Sequence, residues 1–206
     1  SPYATSAFPE YAEKLPDESP STELLKKKAT QHKLWIVGGS IPEVEGGKIY
    51  NTCQVFDPTG KIVAKHRKVH LFDIDVKDGI RFFESDTLTA GTSITTFDTP
   101  WCKIGVGICY DIRFPEYALL LREMGCEIIV YPGAFNMVTG PAHWELLQRA
   151  RAVDTQSYIL TAAPARSIET STNTSKYPLY TSWGHSTIVS PWGTIEATTD
   201  EKESIV

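Results

Sequence analysis

The stretch Lys103-Ile104-Gly105-Val106-Gly107-Ile108-Cys109-Tyr110-Asp111-Ile112-Arg113-Phe114-Pro115-Glu116 decides how the rest of the chain is read. Ile104 to Ile108 is β-branched, bounded by polar residues and too short for a free-standing helix, which predicts a buried strand with Cys109 at its end. Pro115 then suits the first turn of a helix, where its missing N–H costs nothing. Tyr117, Ala118, Leu120, Leu121 and Met124 give that helix an inward face, and Gly125 ends it. Glu127 to Tyr131 follows as the next strand. A thiol at a strand-to-helix turn faces backbone N–H groups and the positive end of a helix dipole, both of which favour thiolate. The same cysteine reads equally well as a small buried hydrophobe, and the turn alone leaves both open.

Bulk properties narrow the function classes. A chain of 206 residues suits one domain with a sizeable core. A net charge of −5 and a pI near 5.6 give no basic field for nucleic acid or an anionic membrane, so the expected partner is a small molecule or a protein. The four cysteines, Cys53, Cys102, Cys109 and Cys126, show no CxxC spacing, which argues against a zinc site or disulfide framework and predicts the cytoplasm or an organelle matrix. No apolar run reaches the length needed to span a bilayer.

Working outward, residues 1–18 have no period and predict a loop that must lie on something else. Ser19-Pro20 is an N-cap and N1 pair for a helix to about Gln31, with Leu24, Leu25 and Ala29 inward and Lys26 to Lys28 solvated. Leu34 to Gly39 predicts a strand, and Tyr50 to Phe56 and Lys61 to Lys65 flank the turn Asp57-Pro58-Thr59-Gly60 as a hairpin. Arg67 to Ser93 is long for an internal connection, which is expected only of a loop with a function. Ile94 to Phe97 predicts an edge strand. Beyond Tyr131, a turn through Pro141 leads to a helix carrying His143, Leu146, Leu147, Ala150 and Val153, and then to a strand at Tyr158 to Ala163. Residues 165–182 predict a polar surface loop, and Ser186 to Val189 with Thr194 to Ala197 a last hairpin around Ser190-Pro191-Trp192-Gly193. Strands alternate with helices in the middle and pair by hairpins at the ends, so the expected fold is a layered α/β domain with mixed sheets, without repeats or a linker.

Amide chemistry at a cysteine needs a thiolate, a proton carrier and donors for the oxyanion. Lys68, where a strand runs into the long segment, can act as a point charge, and equally as one solvated lysine of a basic cluster. Glu84 follows two aromatic residues that can shield it, and also reads as a plain surface glutamate. His143 sits on an apolar helical face beside Trp144, which favours a hydrogen-bonded structural histidine over a catalytic partner. Composition does not rank these candidates.

Longer words do. Lys-His-Arg-Lys-Val-His-Leu-Phe-Asp (65–73), Gly-Ile-Cys-Tyr-Asp-Ile-Arg-Phe-Pro-Glu (107–116), Tyr-Pro-Gly-Ala-Phe-Asn (131–136), Thr-Gly-Pro-Ala-His-Trp-Glu-Leu-Leu (139–147) and Gly-His-Ser-Thr-Ile-Val-Ser-Pro-Trp-Gly (184–193) resemble the nitrilase superfamily of carbon–nitrogen hydrolases. Within it they resemble the Nit-protein branch of omega-amidases. The resemblance implies an αββα sandwich, four layers of mixed sheets and flanking helices, usually as a homodimer. It spans residues 1–206 as a single carbon–nitrogen hydrolase domain. It also implies a Glu-Lys-Cys catalytic set with a second glutamate beside it: Cys109 as nucleophile, Lys68 as cation and Glu84 as that second glutamate. The first glutamate belongs to a Leu-Pro-Glu-Cys-Phe-Asn type motif expected directly before Ser1. That motif and the family's C-terminal segment are absent, so the chain reads as the middle of a family member.

The activity so implied is hydrolysis of the terminal amide of short dicarboxylic acid monoamides, such as 2-oxoglutaramate and 2-oxosuccinamate, through a cysteine thioester, with no metal or organic cofactor. Arg113, four residues beyond the nucleophile, suits a bidentate grip on the far carboxylate, or alternatively a salt bridge to Asp111 or Glu116. The Tyr110 N–H is expected at the oxyanion, and Phe135 and Thr139 at the substrate, with plain core the alternative for Phe135. The expected location is cytoplasmic, with a mitochondrial pool allowed. Two rivals share these residues: the sister branch acting on deaminated glutathione, and a non-catalytic Nit-type interaction module. The words His70-Leu71-Phe72-Asp73-Ile74-Asp75-Val76 resemble omega-amidase more closely.

Overall fold

A computed structural model of the protein describes residues 3–75, 77, 81–167 and 176–206; Val76 of the motif above, and residues 168–175 of the predicted 165–182 loop, lie outside them. The chain divides into two compact units, Ser1–Ser93 and Ile94–Val206.

The first unit opens with a short helix α1 (Phe8–Tyr11), then α2 (Pro20–His32) and strands β1 (Ile36–Glu45), β2 (Lys48–Phe56) and β3 (Ile62–Arg67). These form an antiparallel sheet in the order β1-β2-β3. The N-terminal segment does lie on this sheet, with Phe8 and Leu15 buried, but it is not all loop: besides α1, Glu13 bridges to Glu43. Ser19 caps α2 as expected, its Oγ accepting from the Thr22 N–H at 3.0 Å. The inward face of α2 follows expectation at Ala29, which is buried, and at Leu25, which packs on Gly38, and departs from it where Leu24 is exposed and Thr22 is buried. Thr22 Oγ1 donates to Gln54 Oε1 at 2.6 Å, so helix meets strand through a hydrogen bond as well as through apolar contact. β1 also runs on past Gly39, through an irregularity between Gly38 and Ile41, because Pro42 lies on the outer strand of the sheet, where a missing donor is tolerated.

The long segment after β3 carries a small hairpin, β4 (Asp73–Asp75) with β5 (Arg81–Phe83), and a 3₁₀ turn at Glu84–Asp86.

The second unit is a six-stranded sheet ordered β11-β10-β9-β8-β7-β6. Its strands are β6 (Thr95–Asp98), β7 (Lys103–Val106), β8 (Cys126–Pro132), β9 (Tyr158–Ala162), β10 (Thr187–Val189) and β11 (Ile195–Thr198). β7, β8 and β9 are parallel and the outer pairs antiparallel, the mixed arrangement the alternation of elements predicts. Helices α3 (Pro115–Glu123) and α4 (Glu145–Thr155) pack on it.

α3 buries the centre of the expected face, whereas α4 buries a different one. On α3 the buried residues are Tyr117, Ala118 and Leu121, while Leu120 and Met124 are exposed. The stripe is narrow: Leu121 fits where Gly105 leaves room, and Tyr117 reaches the Val106 carbonyl at 2.6 Å. On α4, Leu146 and Val153 are exposed and the inward residues are Gln148, Arg151, Ala152 and Thr155. The polar ones are satisfied inside: Thr161 Oγ1 donates to Gln148 Oε1 at 2.9 Å, and Thr155 Oγ1 to the Arg151 carbonyl at 2.7 Å. A buried polar group costs little when it is hydrogen-bonded, which is how this stripe displaces the leucine face.

Candidate active site

The chain leaves β7 through Gly107 and Ile108 and enters a 3₁₀ turn, Cys109–Arg113. Cys109 has φ 48, in the left-handed region, which costs a side chain with a Cβ on the order of 1–2 kcal/mol. Several contacts hold it there. The fully buried Asp111 accepts from the Ile108 N–H at 2.8 Å, tying the turn's carboxylate to its entry. Arg151 of α4, itself buried, donates from Nε to the Ile112 carbonyl at 2.9 Å and from Nη2 to the Arg113 carbonyl at 3.2 Å. Gly133, just after β8, passes so close that an added Cβ would lie 2.9 Å from Cys109 Cα, so that residue must be glycine. Cys109 therefore stands on a short, sharply bent and closely backed corner.

Around it, the Cys109 thiol points at the Ala134 carbonyl at 3.8 Å, and the Tyr180 hydroxyl donates to the same carbonyl at 2.7 Å. Arg113 Nη2 lies 3.2 Å from His143 Nδ1, and its guanidinium carbon sits 5.0 Å from the Phe135 ring centre and 5.6 Å from that of Tyr110. Among the described residues it forms no ion pair, so neither Asp111 nor Glu116 is its partner. Burial draws its pKa below the ordinary value, while nearby Tyr110 and Cys109 oppose the shift. Phe135 is buried against Trp144, with ring centres 4.7 Å apart. Thr139 is also buried, and its hydroxyl and N–H both reach Asn136 Oδ1, at 3.0 and 2.8 Å. Thus Cys109, Arg113, Phe135 and His143 gather round one corner, and Thr139 braces the connection behind it.

The other candidates lie in the first unit. Lys68 and Glu84 are both buried, and Lys68 Nζ donates to Glu84 Oε2 at 2.6 Å. The Phe72 N–H donates to the same oxygen at 2.7 Å and the Tyr3 hydroxyl to Oε1 at 2.5 Å. Neither the solvated lysine nor the surface glutamate survives as a reading. Three donors fix the carboxylate, and the carboxylate fixes the ammonium. The Lys68 backbone is pinned as well, its N–H bonded to the Asn51 carbonyl and its carbonyl to the Gly91 N–H, both at 2.8 Å.

Comparison with known proteins gives this geometry a context. The carbon-nitrogen hydrolase family matches residues 1–206. The chain belongs to the carbon–nitrogen hydrolase family. Omega-amidase NIT2-A of Xenopus laevis is 58% identical over 206 residues, which is 100% of this chain and 71% of that protein. Omega-amidase NIT2 of Homo sapiens is 55% identical over the same span. Among solved structures, Nit3 of Saccharomyces cerevisiae, a member of branch 10 of the nitrilase superfamily, superposes with a TM-score of 0.86 at 44% identity, covering 99% of this chain and 70% of that one. The mixed α/β fold, with its sheets and flanking helices, is therefore that of a carbon–nitrogen hydrolase.

Sequence reasoning missed Asp111, Arg151, Tyr3 and Tyr180 as parts of these arrangements. Asp111 carried a usable signal, an acidic residue in the first turn after the cysteine. Arg151 carried none, since an arginine on a helix reads as solvated until its partners are seen.

Among the described residues, no group of three or more His, Cys, Asp or Glu side chains is placed to hold a metal ion, and no helix is long and apolar enough to cross a membrane.

Proposed function

We propose that this protein is an omega-amidase, hydrolysing the terminal amide of short dicarboxylic acid monoamides such as 2-oxoglutaramate and 2-oxosuccinamate to the diacid and ammonia. The observation that carries the reading is local to the second unit. A cysteine held at φ 48 stands one turn before a half-buried arginine that has aromatic and imidazole neighbours and, among the described residues, no carboxylate partner. A cation buried without a counter-ion is costly unless an anion arrives to complete it, and a monoamide substrate brings one. Identity of 58% and 55% to curated omega-amidases along the whole chain supports the same reading.

The Cys109 sulfur attacks the amide carbon, and the carbonyl electrons move onto oxygen. By the family resemblance, that oxyanion is met by the Tyr110 N–H and the Lys68 ammonium, which Glu84 orients. The C–N bond breaks as nitrogen takes a proton and leaves as ammonia, giving the Cys109 thioester. Water attacks the thioester, releases the carboxylate and returns the thiol. The resemblance assigns the proton transfers to a glutamate in the motif expected before Ser1.

The test is ammonia release from 2-oxoglutaramate by the full-length protein. Wild type should turn over, Cys109→Ala should not, and acid quench during turnover should trap an acyl adduct on the peptide containing Cys109. Activity retained by Cys109→Ala, or faster hydrolysis of deaminated glutathione than of 2-oxoglutaramate, would overturn the reading.

A further inference from the structure

We infer that His143 is a positioning residue for carboxylate recognition, holding the Arg113 guanidinium in the orientation that an anionic substrate end requires; the inference rests on the omega-amidase reading. A guanidinium has donors and no acceptor, so at 3.2 Å from Arg113 Nη2 the His143 Nδ1 must be the acceptor. The imidazole is therefore neutral, with its proton on Nε2. It orients the cation without neutralising it, as a carboxylate in the same place would. The two rings complete the cradle, with Phe135 at 5.0 Å and Tyr110 at 5.6 Å from the guanidinium carbon.

The way His143 is delivered supports the assignment. It lies on a π turn, Gly140–Trp144, that leads into α4. Such a turn inserts a residue relative to an α-helix and re-aims the side chains it carries. The turn is fixed on three sides. The Gly140 N–H donates to the Asn136 carbonyl at 2.8 Å, and a Cβ at Gly140 would meet Trp183 at 2.4 Å. Trp144 is buried against Phe135 and donates to the His185 carbonyl at 2.7 Å. Eight residues on, Arg151 donates to the Arg113 carbonyl. One continuous helical segment thus grips the backbone of Arg113 through Arg151 and its side chain through His143. A wide turn braced so closely beside a half-buried cation is accounted for if the imidazole must be where it is.

The experiment uses the full-length protein with succinamate and succinamide, amides of the same length that differ in the charge of the far end. Wild type should prefer succinamate. His143→Leu should raise KM for succinamate about tenfold or more, with kcat within about twofold, and leave both constants for succinamide within about twofold. Retained turnover of succinamide shows that the variant is folded. His143→Asn places an amide oxygen near the position of Nδ1 and should keep the preference within about threefold of wild type. An unchanged KM for succinamate in His143→Leu overturns the inference while the omega-amidase reading stands. Equal losses on both substrates, unrescued by asparagine, make His143 merely structural and overturn it too. A wild-type enzyme indifferent to the charge removes the reading on which the inference rests, and the inference with it.

Discussion

Replacing Arg151 by methionine tests whether the corner at Cys109 is held from α4. Methionine keeps most of the buried stem and removes three hydrogen bonds: to the Ile112 carbonyl at 2.9 Å, the Arg113 carbonyl at 3.2 Å and Asp154 Oδ2 at 2.8 Å. Asp154 is largely exposed and resolvates cheaply, so its loss weighs little. The two carbonyls lose charged donors, each worth about 1.5–3 kcal/mol. Against this, methionine avoids the desolvation of a guanidinium that is only 6% exposed. The net loss expected is about 2–4 kcal/mol, or roughly 5–12 °C in Tm for a chain of this size. Activity should fall further than stability alone requires. The same carbonyls close the turn that begins at the left-handed Cys109, and an ångström of drift at a nucleophile costs on the order of 10²-fold. Arg151→Lys keeps the charge but reaches one carbonyl, so about half the stability loss is expected. Urea unfolding and 2-oxoglutaramate turnover are measured on wild type and both variants. If Arg151→Met unfolds within about 0.5 kcal/mol of wild type and retains its kcat, the corner is not held from α4.

The remaining predictions concern ionisation. Burial alone would raise the pKa of Glu43, but hydrogen bonds from Arg67, Lys65 and Thr52 outweigh it and hold the carboxyl at about 2. A folded pKa below the unfolded 4.5 stabilises the protein above that value by roughly 3 kcal/mol, and the contribution disappears as pH falls from 4.5 towards 2. The difference in unfolding free energy between wild type and Glu43→Gln should therefore shrink over that window; a difference independent of pH would show that the ion cluster is not what Glu43 contributes. Burial also pushes Cys53 up to about 12 and Cys126 up to about 11. Iodoacetamide on the native protein at pH 8 should leave both unmodified while Cys109 reacts and activity falls in step, and alkylation of Cys126 at the rate of Cys109 would refute the assignment of the reactive thiol.

What the sequence makes legible here follows from the kind of signal involved. The β7, turn and α3 unit is readable because an apolar run, a proline at N1 and a glycine stop are each local rules that agree. The hairpin of β2 and β3 is readable for the same reason, through Asp57-Pro58-Thr59-Gly60. The inner face of α4, and that of α2 in part, is not, because periodicity counts apolar side chains while these helices bury Thr22, Gln148, Arg151 and Thr155 on specific partners. Whether a polar residue finds a partner is a property of the tertiary fold. Lys68 and Glu84 lie 16 positions apart and meet only because the intervening segment folds back through β4 and β5. Nothing but the family resemblance points to that pair, and nothing in the motif words points to the π turn that presents His143.

The polar interior of α4 and the strained corner belong to one physical account. A residue kept at positive φ relaxes unless its surroundings over-determine it. An apolar helix packed against the turn would supply contact area but no directional restraint on the Ile112 and Arg113 carbonyls, which point at α4 and need donors. A lysine would satisfy one of them; the guanidinium fork satisfies both while reaching Asp154 with its remaining nitrogen. That geometry explains why α4 turns Arg151 inward in place of the apolar face its periodicity predicts, and why Leu146 and Val153 are left outside. The same segment, through its π turn, then sets the side chain of Arg113. Strain at Cys109 and orientation of the Arg113 guanidinium are in this way secured by one element, so on the proposed function a change in the packing of α4 on the sheet should disturb both together, kcat through Cys109 and KM through Arg113.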